Sequence, residues 1–234
     1  MNKRKKFGQH FLISQSVAKK IVSTAKITID DIVLEIGTGH GILIPYLCKK
    51  AKKVISIESD KKLYLESKSK FKNLSNLVLK HGNGFKSSEN FSILVSNLPY
   101  SQSRLAMEWL IQKKFSHAIL MVQKEFAEKI LASGKDRKAI SVLVNQSSDV
   151  ELKMKVNRSN FLPVPNVNST VIKLTRKKQV SKNLIKTVNQ LFSYRRKKIQ
   201  NISKKLGLKL NSDKRLDELS GDEIIKIAKQ ISQT

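Results

Sequence analysis

At 234 residues the chain is long enough to bury a core of ordinary size plus a small appendage. Lys and Arg number 46 against 18 acidic residues, and the resulting charge of +28 repels itself unless a polyanion is present, so a nucleic-acid partner is the first expectation. One cysteine, Cys48, and four scattered histidines exclude an internal disulfide and offer no zinc or iron–sulfur pattern, while no apolar stretch approaches the roughly 20 residues that span a bilayer.

The chain opens with the basic run Lys3, Arg4, Lys5 and Lys6, which are candidate RNA contacts. Phe7-Gly-Gln9-His10-Phe-Leu12 follows in place of an apolar h-region, so no secretory signal is predicted and a cytoplasmic protein is expected.

From residue 31 to about 123, short apolar runs alternate with longer amphipathic segments. Strands are predicted at Ile32 to Ile36, Val54 to Glu58, Leu77 to Lys80, Ile93 to Asn97 and Ala118 to Gln123, with helical patterns such as Lys61 to Phe71 between them. That alternation predicts an α/β fold with a doubly wound, mostly parallel sheet. After the first of these strands comes Glu35-Ile-Gly37-Thr-Gly39-His-Gly41-Ile42. Ile42 stands where a dinucleotide fingerprint wants its third glycine, so the turn points away from NAD and toward S-adenosylmethionine. Gly37 and Gly39 let backbone approach a ligand with no Cβ in the way. Glu58, a carboxylate 17 residues beyond Gly41, ends the next strand and can accept from both hydroxyls of a ribose.

The run Phe91-Ser-Ile-Leu-Val-Ser ends in Asn97-Leu98-Pro99-Tyr100, at the carboxyl end of a buried parallel strand, where open α/β sheets bind ligands. Pro99 lacks an N–H and biases Leu98 toward an extended conformation, which holds the Leu98 carbonyl outward. That carbonyl and the Asn97 side-chain oxygen can converge on one amino group while Tyr100 stacks on the ring that bears it. The lone pair of an adenine 6-amino group is delocalised into its ring. Accepting both N–H bonds draws the nitrogen toward tetrahedral geometry and frees the lone pair for attack, with no metal and no strong base.

Residues 124 to 147 read as two helices separated near Gly134, and Val150 to Val156 and Val171 to Leu174 as closing strands. The loop Asn160-Phe161-Leu-Pro163-Val-Pro165 is stiffened twice by proline and presents Phe161, either a second stacking face or a core plug. After Thr175 the character changes: residues 176 to 215 hold 14 Lys or Arg against one acid, Asp213, and Leu184, Val188, Leu191 and Phe192 recur at helical spacing. Ser220-Gly-Asp-Glu223 is a capping box opening a last amphipathic helix. Residues 1–175 are therefore expected to form the catalytic domain and 176–234 a small, basic, all-helical domain. Arg195, Arg196, Lys197 and Lys198, the densest charge run, are candidate phosphate contacts.

In this order the motifs resemble those of the rRNA adenine dimethyltransferases, the family of kasugamycin-resistance and dimethyladenosine methylases that also includes the erythromycin-resistance methylases. The resemblance runs through Phe7-Gly-Gln-His-Phe-Leu12, Glu35-Ile-Gly-Thr-Gly, Asn97-Leu-Pro-Tyr-Ser, Met121-Val-Gln-Lys-Glu-Phe-Ala, the segment from Phe161 to Val171, and Phe192-Ser-Tyr-Arg-Arg-Lys-Lys. It implies a Rossmann-like class I methyltransferase with S-adenosylmethionine as cofactor. Gln9, His10 and Leu12 would line the cofactor site, with Gly37 at the methionine end, Gly39 also on the cofactor, Glu58 on the ribose, Asn83 on the adenine and Asn97 bordering the site. Asn97, Leu98 and Pro99 would hold the target amine, and Tyr100 and Phe161 would stack on its base. Asn83 stands where the family carries Asp, so the adenine contact lacks a carboxylate, and the helical domain is short.

The Arg-Arg-Lys segment and the Leu216-Asp-Glu-Leu-Ser ending resemble the small-subunit branch, which implies two adjacent adenines near the 3′ end of small-subunit rRNA as substrate and the assembling small subunit as partner. No membrane and no metal are expected, and a monomer is the default. The alternatives are a large-subunit methylase of the antibiotic-resistance type, a protein amide methyltransferase, and a non-catalytic assembly factor on the same fold.

Overall fold

The computed structural model describes residues 10–205 and 212–233. Lys3, Arg4, Lys5, Lys6 and Gln9 lie outside the described residues. Contacts divide the chain into two compact units. One takes the described residues up to Ala106, Lys114–Ala127 and Glu151–Arg176; the other takes Met107–Lys113, Glu128–Val150 and the described residues from Lys177 onward.

The elements follow in the order β1 (Phe11–Leu12), α1 (Gln15–Thr24), β2 (Ile32–Ile36), α2 (Ile44–Cys48), β3 (Lys53–Glu58), α3 (Lys61–Lys70), β4 (Leu77–His81) and β5 (Ile93–Asn97). Then come α4 (Ser103–Leu110), β6 (His117–Gln123), α5 (Lys124–Leu131), α6 (Ala139–Ser147), β7 (Ser148–Val156), β8 (Phe161–Leu162) and β9 (Ser169–Arg176). The chain continues through α7 (Lys182–Ser193), α8 (Ile199–Lys205) and α9 (Gly221–Gln233).

The sheet order is β4-β3-β2-β5-β6-β9-β7, with β2 parallel to both β3 and β5, and β9 antiparallel to β6. This is the doubly wound α/β sheet expected from the alternation of apolar runs. Its central strands bury apolar side chains on both faces, among them Val33, Leu34, Val54, Val95, Ile119 and Leu120. Ala18, Ile21 and Val22 of α1 join this core, together with Leu43 and Leu47 around α2.

Polar residues set the helix starts. Ser14 accepts from the Val17 N–H ahead of α1, and Asp60 accepts from the Lys62 and Leu63 N–H groups ahead of α3. Strand order reverses about β2, whose neighbours β3 and β5 leave in opposite directions, so the crevice at the carboxyl ends of β2 and β5 is the switch point where such sheets take ligands.

In the second unit, α7 buries Leu184, Val188 and Leu191, and α9 buries Ile224, Ile225 and Ala228. α6, α7 and α9 pack on one another. The Ser220–Glu223 box is formed: the Ser220 N–H donates to Glu223 Oε2 at 2.6 Å and the Glu223 N–H to Ser220 Oγ at 3.2 Å.

Gly41 closes the turn after β2 at φ +73°, and a Cβ built there would stand 2.2 Å from Phe71 Cε2. Gly41→Ala therefore combines a left-handed backbone with a clash against a buried ring, and is expected to lower stability by about 2–4 kcal/mol. A urea-unfolding midpoint equal to that of the wild type would contradict this reading of the turn.

Candidate active site

The crevice holds a cavity of about 330 Å³ lined by β1, the glycine turn, the ends of β3 and β4, and Asn97 to Gln102. On the β2 side, Gly37 donates to the Ile57 carbonyl at 2.8 Å, which folds the turn back on β3. Gly39, at φ +57°, donates to Glu58 Oε2 at 2.8 Å, and a Cβ there would approach Phe11 to 3.3 Å. Glu58 Oε1 accepts from the Asp60 N–H at 2.9 Å, so the carboxylate is oriented by backbone on both oxygens although it is only 3% exposed. Each oxygen keeps acceptor capacity for a ligand hydroxyl.

Beneath the turn lies a second carboxyl. Glu35 is 1% exposed and accepts from Ser56 Oγ at 2.5 Å; Ser56 is in turn bonded to Thr38 Oγ1 at 2.6 Å. Burial, chiefly, pushes Glu35 up from an ordinary 4.5 to about 8; the Ser56 bond opposes the shift and the nearby Glu58 charge adds to it.

Across the cavity, the Leu98 N–H bonds to the Met121 carbonyl and Pro99 opens a tight turn whose carbonyl accepts from Gln102. Among the described residues, neither the Asn97 side chain nor the Leu98 carbonyl has a hydrogen-bond partner, and both residues line the cavity. Tyr100 is half-buried, its hydroxyl 2.8 Å from Ser169 Oγ and its ring 5.4 Å from that of His10 at an interplanar angle of 29°. Burial raises the Tyr100 hydroxyl above its ordinary value, so it stays protonated near neutral pH. His10 Nδ1 donates to the Pro163 carbonyl at 2.8 Å.

The cavity thus brings together His10, Leu12, Gly37, Gly39, Glu58, Asn83, Asn97, Leu98, Pro99 and Tyr100. Asn83 Oδ1 is already committed, because it caps the following turn by accepting from the Phe85 N–H at 2.9 Å. Its amide nitrogen, a donor, is what remains for a ligand, where an Asp would have offered a second oxygen.

Phe161 is not brought to the cavity: it is 1% exposed and sits in the core with Leu12, Val156 and Val171. Of the two readings of its loop, this conformation has the core plug. Thr38, His40 and Phe85 line the cavity although the sequence did not single them out. Thr38 and His40 fill the variable positions of the glycine turn, and Phe85 follows the Asn83 cap. No cluster of metal-ligating side chains occurs among the described residues, and no helix among them is long and apolar enough to cross a membrane.

The basic run after α7 is partly consumed within the second unit. The Arg195 guanidinium donates to the Lys135 carbonyl and lies 3.9 Å from Asp217, and Lys198 is paired with Asp213 at 2.9 Å. Arg196 and Lys197 are exposed, with the Lys197 ammonium 5.3 Å from the Tyr194 ring centroid.

Residues 1–233 match the family of ribosomal RNA adenine dimethylases. The chain belongs to this family. A ribosomal RNA small subunit methyltransferase A from Thermotoga petrophila is 36% identical over 95% of this chain and 89% of its own. A dimethyladenosine transferase from Plasmodium falciparum superposes with a TM-score of 0.81 at 28% identity, covering 96% of this chain and 98% of that one. The 23S rRNA methyltransferase ErmE shares the fold, with a TM-score of 0.69 at 20% identity over 95% of this chain and all of its own (100%). The crevice of this dimethylase fold is lined by the backbone-oriented Glu58 carboxylate and by the Asn97 to Gln102 segment.

The Glu35 carboxyl gives this dimethylase a pH signature. Between about 4.5 and about 8 the folded protein holds a proton that the unfolded chain has released, so this group's contribution to stability falls as pH rises through that window. Glu35→Gln keeps a neutral partner for Ser56 and removes the effect. The difference in urea midpoint, variant minus wild type, is expected to become more positive from pH 4 to pH 8.5; a constant difference would mean that Glu35 titrates normally.

Proposed function

We propose that the chain transfers methyl groups from S-adenosylmethionine to the 6-amino groups of two adjacent adenines near the 3′ end of small-subunit rRNA, dimethylating each. The observation that carries this reading is the pair of uncommitted acceptors, the Asn97 side chain and the Leu98 carbonyl, beside the half-buried Tyr100 ring. The name of the Thermotoga petrophila relative supports the small-subunit branch.

The cavity's donor set suits the cofactor. Its volume of about 330 Å³ lies in the range of small-molecule sites, Glu58 can take the ribose hydroxyls, and the glycine turn with His10 and Leu12 borders the remainder. Bound there, S-adenosylmethionine supplies an electrophilic methyl group. Asn97 and Leu98 accept the two N–H bonds of the target amine and localise its lone pair, while Tyr100 fixes the plane of the base. Acceleration comes from positioning more than from acid–base work. An adenine in a loop is cheaper to splay into such a site than one in a duplex.

Methyl transfer is assigned to the segment before residue 176 and RNA grip to the basic segment 176–234, in a cytoplasmic monomer acting on the assembling small subunit. Within the charge run, the exposed Arg196 and Lys197 are assigned as phosphate contacts.

Labelled methyl transfer to unmethylated small subunits, large subunits and naked RNAs, with products mapped by reverse-transcriptase stops, is expected to give paired stops near the small-subunit 3′ end. Stops in large-subunit RNA would overturn the branch. Asn97→Ala is expected to abolish transfer with S-adenosylmethionine binding retained, and a variant with wild-type turnover would remove Asn97 from the chemistry. Arg196→Ala with Lys197→Ala should flatten the log–log salt dependence of RNA binding by about 1.5, at roughly 0.7–0.9 per phosphate contact. An unchanged slope would leave both side chains merely solvated.

A further inference from the structure

Leu162, Pro163 and Val164 form an unbroken run of exposed apolar side chains, with Leu162 62% and Val164 54% exposed. Isolated exposed apolar residues are ordinary, but a contiguous run on an ordered loop marks a contact surface. The run is held rigid from both sides, since Phe161 and Pro165 are buried. Asn168 accepts the Arg158 N–H at its side chain and the Lys124 N–H at its carbonyl, both at 3.0 Å. The run is tied to two residues that line the cavity, Phe11 and His10. Leu162 pairs with Phe11 across the β1–β8 ribbon, and the Pro163 carbonyl accepts from His10, which stacks on Tyr100.

We propose that Leu162–Pro163–Val164 is the seat of the nucleobase adjacent in the RNA chain to the target adenine. The proposal rests on the reading above, that one adenine of an adjacent pair is splayed into the cavity. Splaying strips its neighbour of a stacking partner, and a preorganised apolar shelf tied to cavity-lining residues recovers that contact whichever base presents its face. Arg158, exposed three residues before Phe161, supplies a cation on the same loop for the intervening phosphate. A protein docking surface would not need to adjoin the base-stacking tyrosine.

The test pairs Leu162→Ser with Val164→Ser in the full chain and compares naked loop RNAs with the neighbouring adenine intact or replaced by an abasic nucleotide. The readout is kcat/KM for transfer to the remaining adenine. Wild type is expected to lose about tenfold on the abasic RNA. The double variant should lose about tenfold on intact RNA and nothing further on the abasic one, with S-adenosylmethionine affinity and unfolding midpoint unchanged. The conservative pair Leu162→Met and Val164→Ile should restore wild-type behaviour. Losses that add, or a double variant as active as wild type on intact RNA, would overturn the shelf while leaving the methyltransferase reading standing. A defect confined to whole subunits would reassign the surface to a protein partner. Absence of any transfer by wild type to either RNA and to unmethylated small subunits would remove the proposed function and the shelf with it.

Discussion

The site depends on where the pairing of β2 with β5 stops. The ladder runs Val33 with Ile93 and Leu34 with Leu94 and goes no further, whereas β2 and β3 stay paired from Ile32 to Ile36. Beyond that point the Ser96 hydroxyl donates to the Ile36 carbonyl at 2.5 Å, so a side chain satisfies a backbone acceptor that the ladder has released. The strands' carboxyl ends can therefore part without an unpaired buried carbonyl. The gap places the glycine turn on one side and Asn97 to Tyr100 on the other.

The polar groups under this gap form a graded set. Glu58 is oriented by two backbone N–H groups and faces the cavity, whereas Glu35, one strand away, is buried, bonded to Ser56 and held protonated by desolvation. Placing two ionised carboxylates so close in a low-dielectric crevice would be costly. Burial holds Glu35 as the neutral member of the pair. The Ser56–Thr38 bond links that neutral carboxyl to the glycine turn.

Much of the fold was legible because its causes are local. Strands buried on both faces read as largely apolar runs, and Ser220 announces the last helix by its capping box. The β1–β8 ribbon was not legible, since two-residue strands have no period and exist only through pairing across about 150 residues of chain. Proline spacing showed that the Phe161 loop is stiff but not which way its ring turns, and the alternation of buried Phe161 with exposed Leu162 is a tertiary outcome. The basic run showed charge but not its partners: Asp213 and Asp217 lie 15 to 22 residues further on and reach Lys198 and Arg195 only after folding. Asn83 was visible as a departure from its family, yet the consequence depends on its oxygen being taken by the Phe85 N–H.

On the proposed reaction, the acceptor pair also gives an order to affinity. An unmethylated adenine offers two N–H bonds to Asn97 and Leu98, a monomethylated one offers one, and the dimethylated product offers none. An acceptor left facing a methyl group loses its hydrogen bond and remains partly desolvated, an effect that costs about 1–3 kcal/mol per group. Each transfer therefore weakens the hold on the base it has modified, and the finished base is the one the site binds least. Leu98 is itself buried and its backbone is fixed by Pro99 and by the bond to Met121, so the site cannot relax to follow the product. Rigidity that positions the amine for attack is also what makes the product leave.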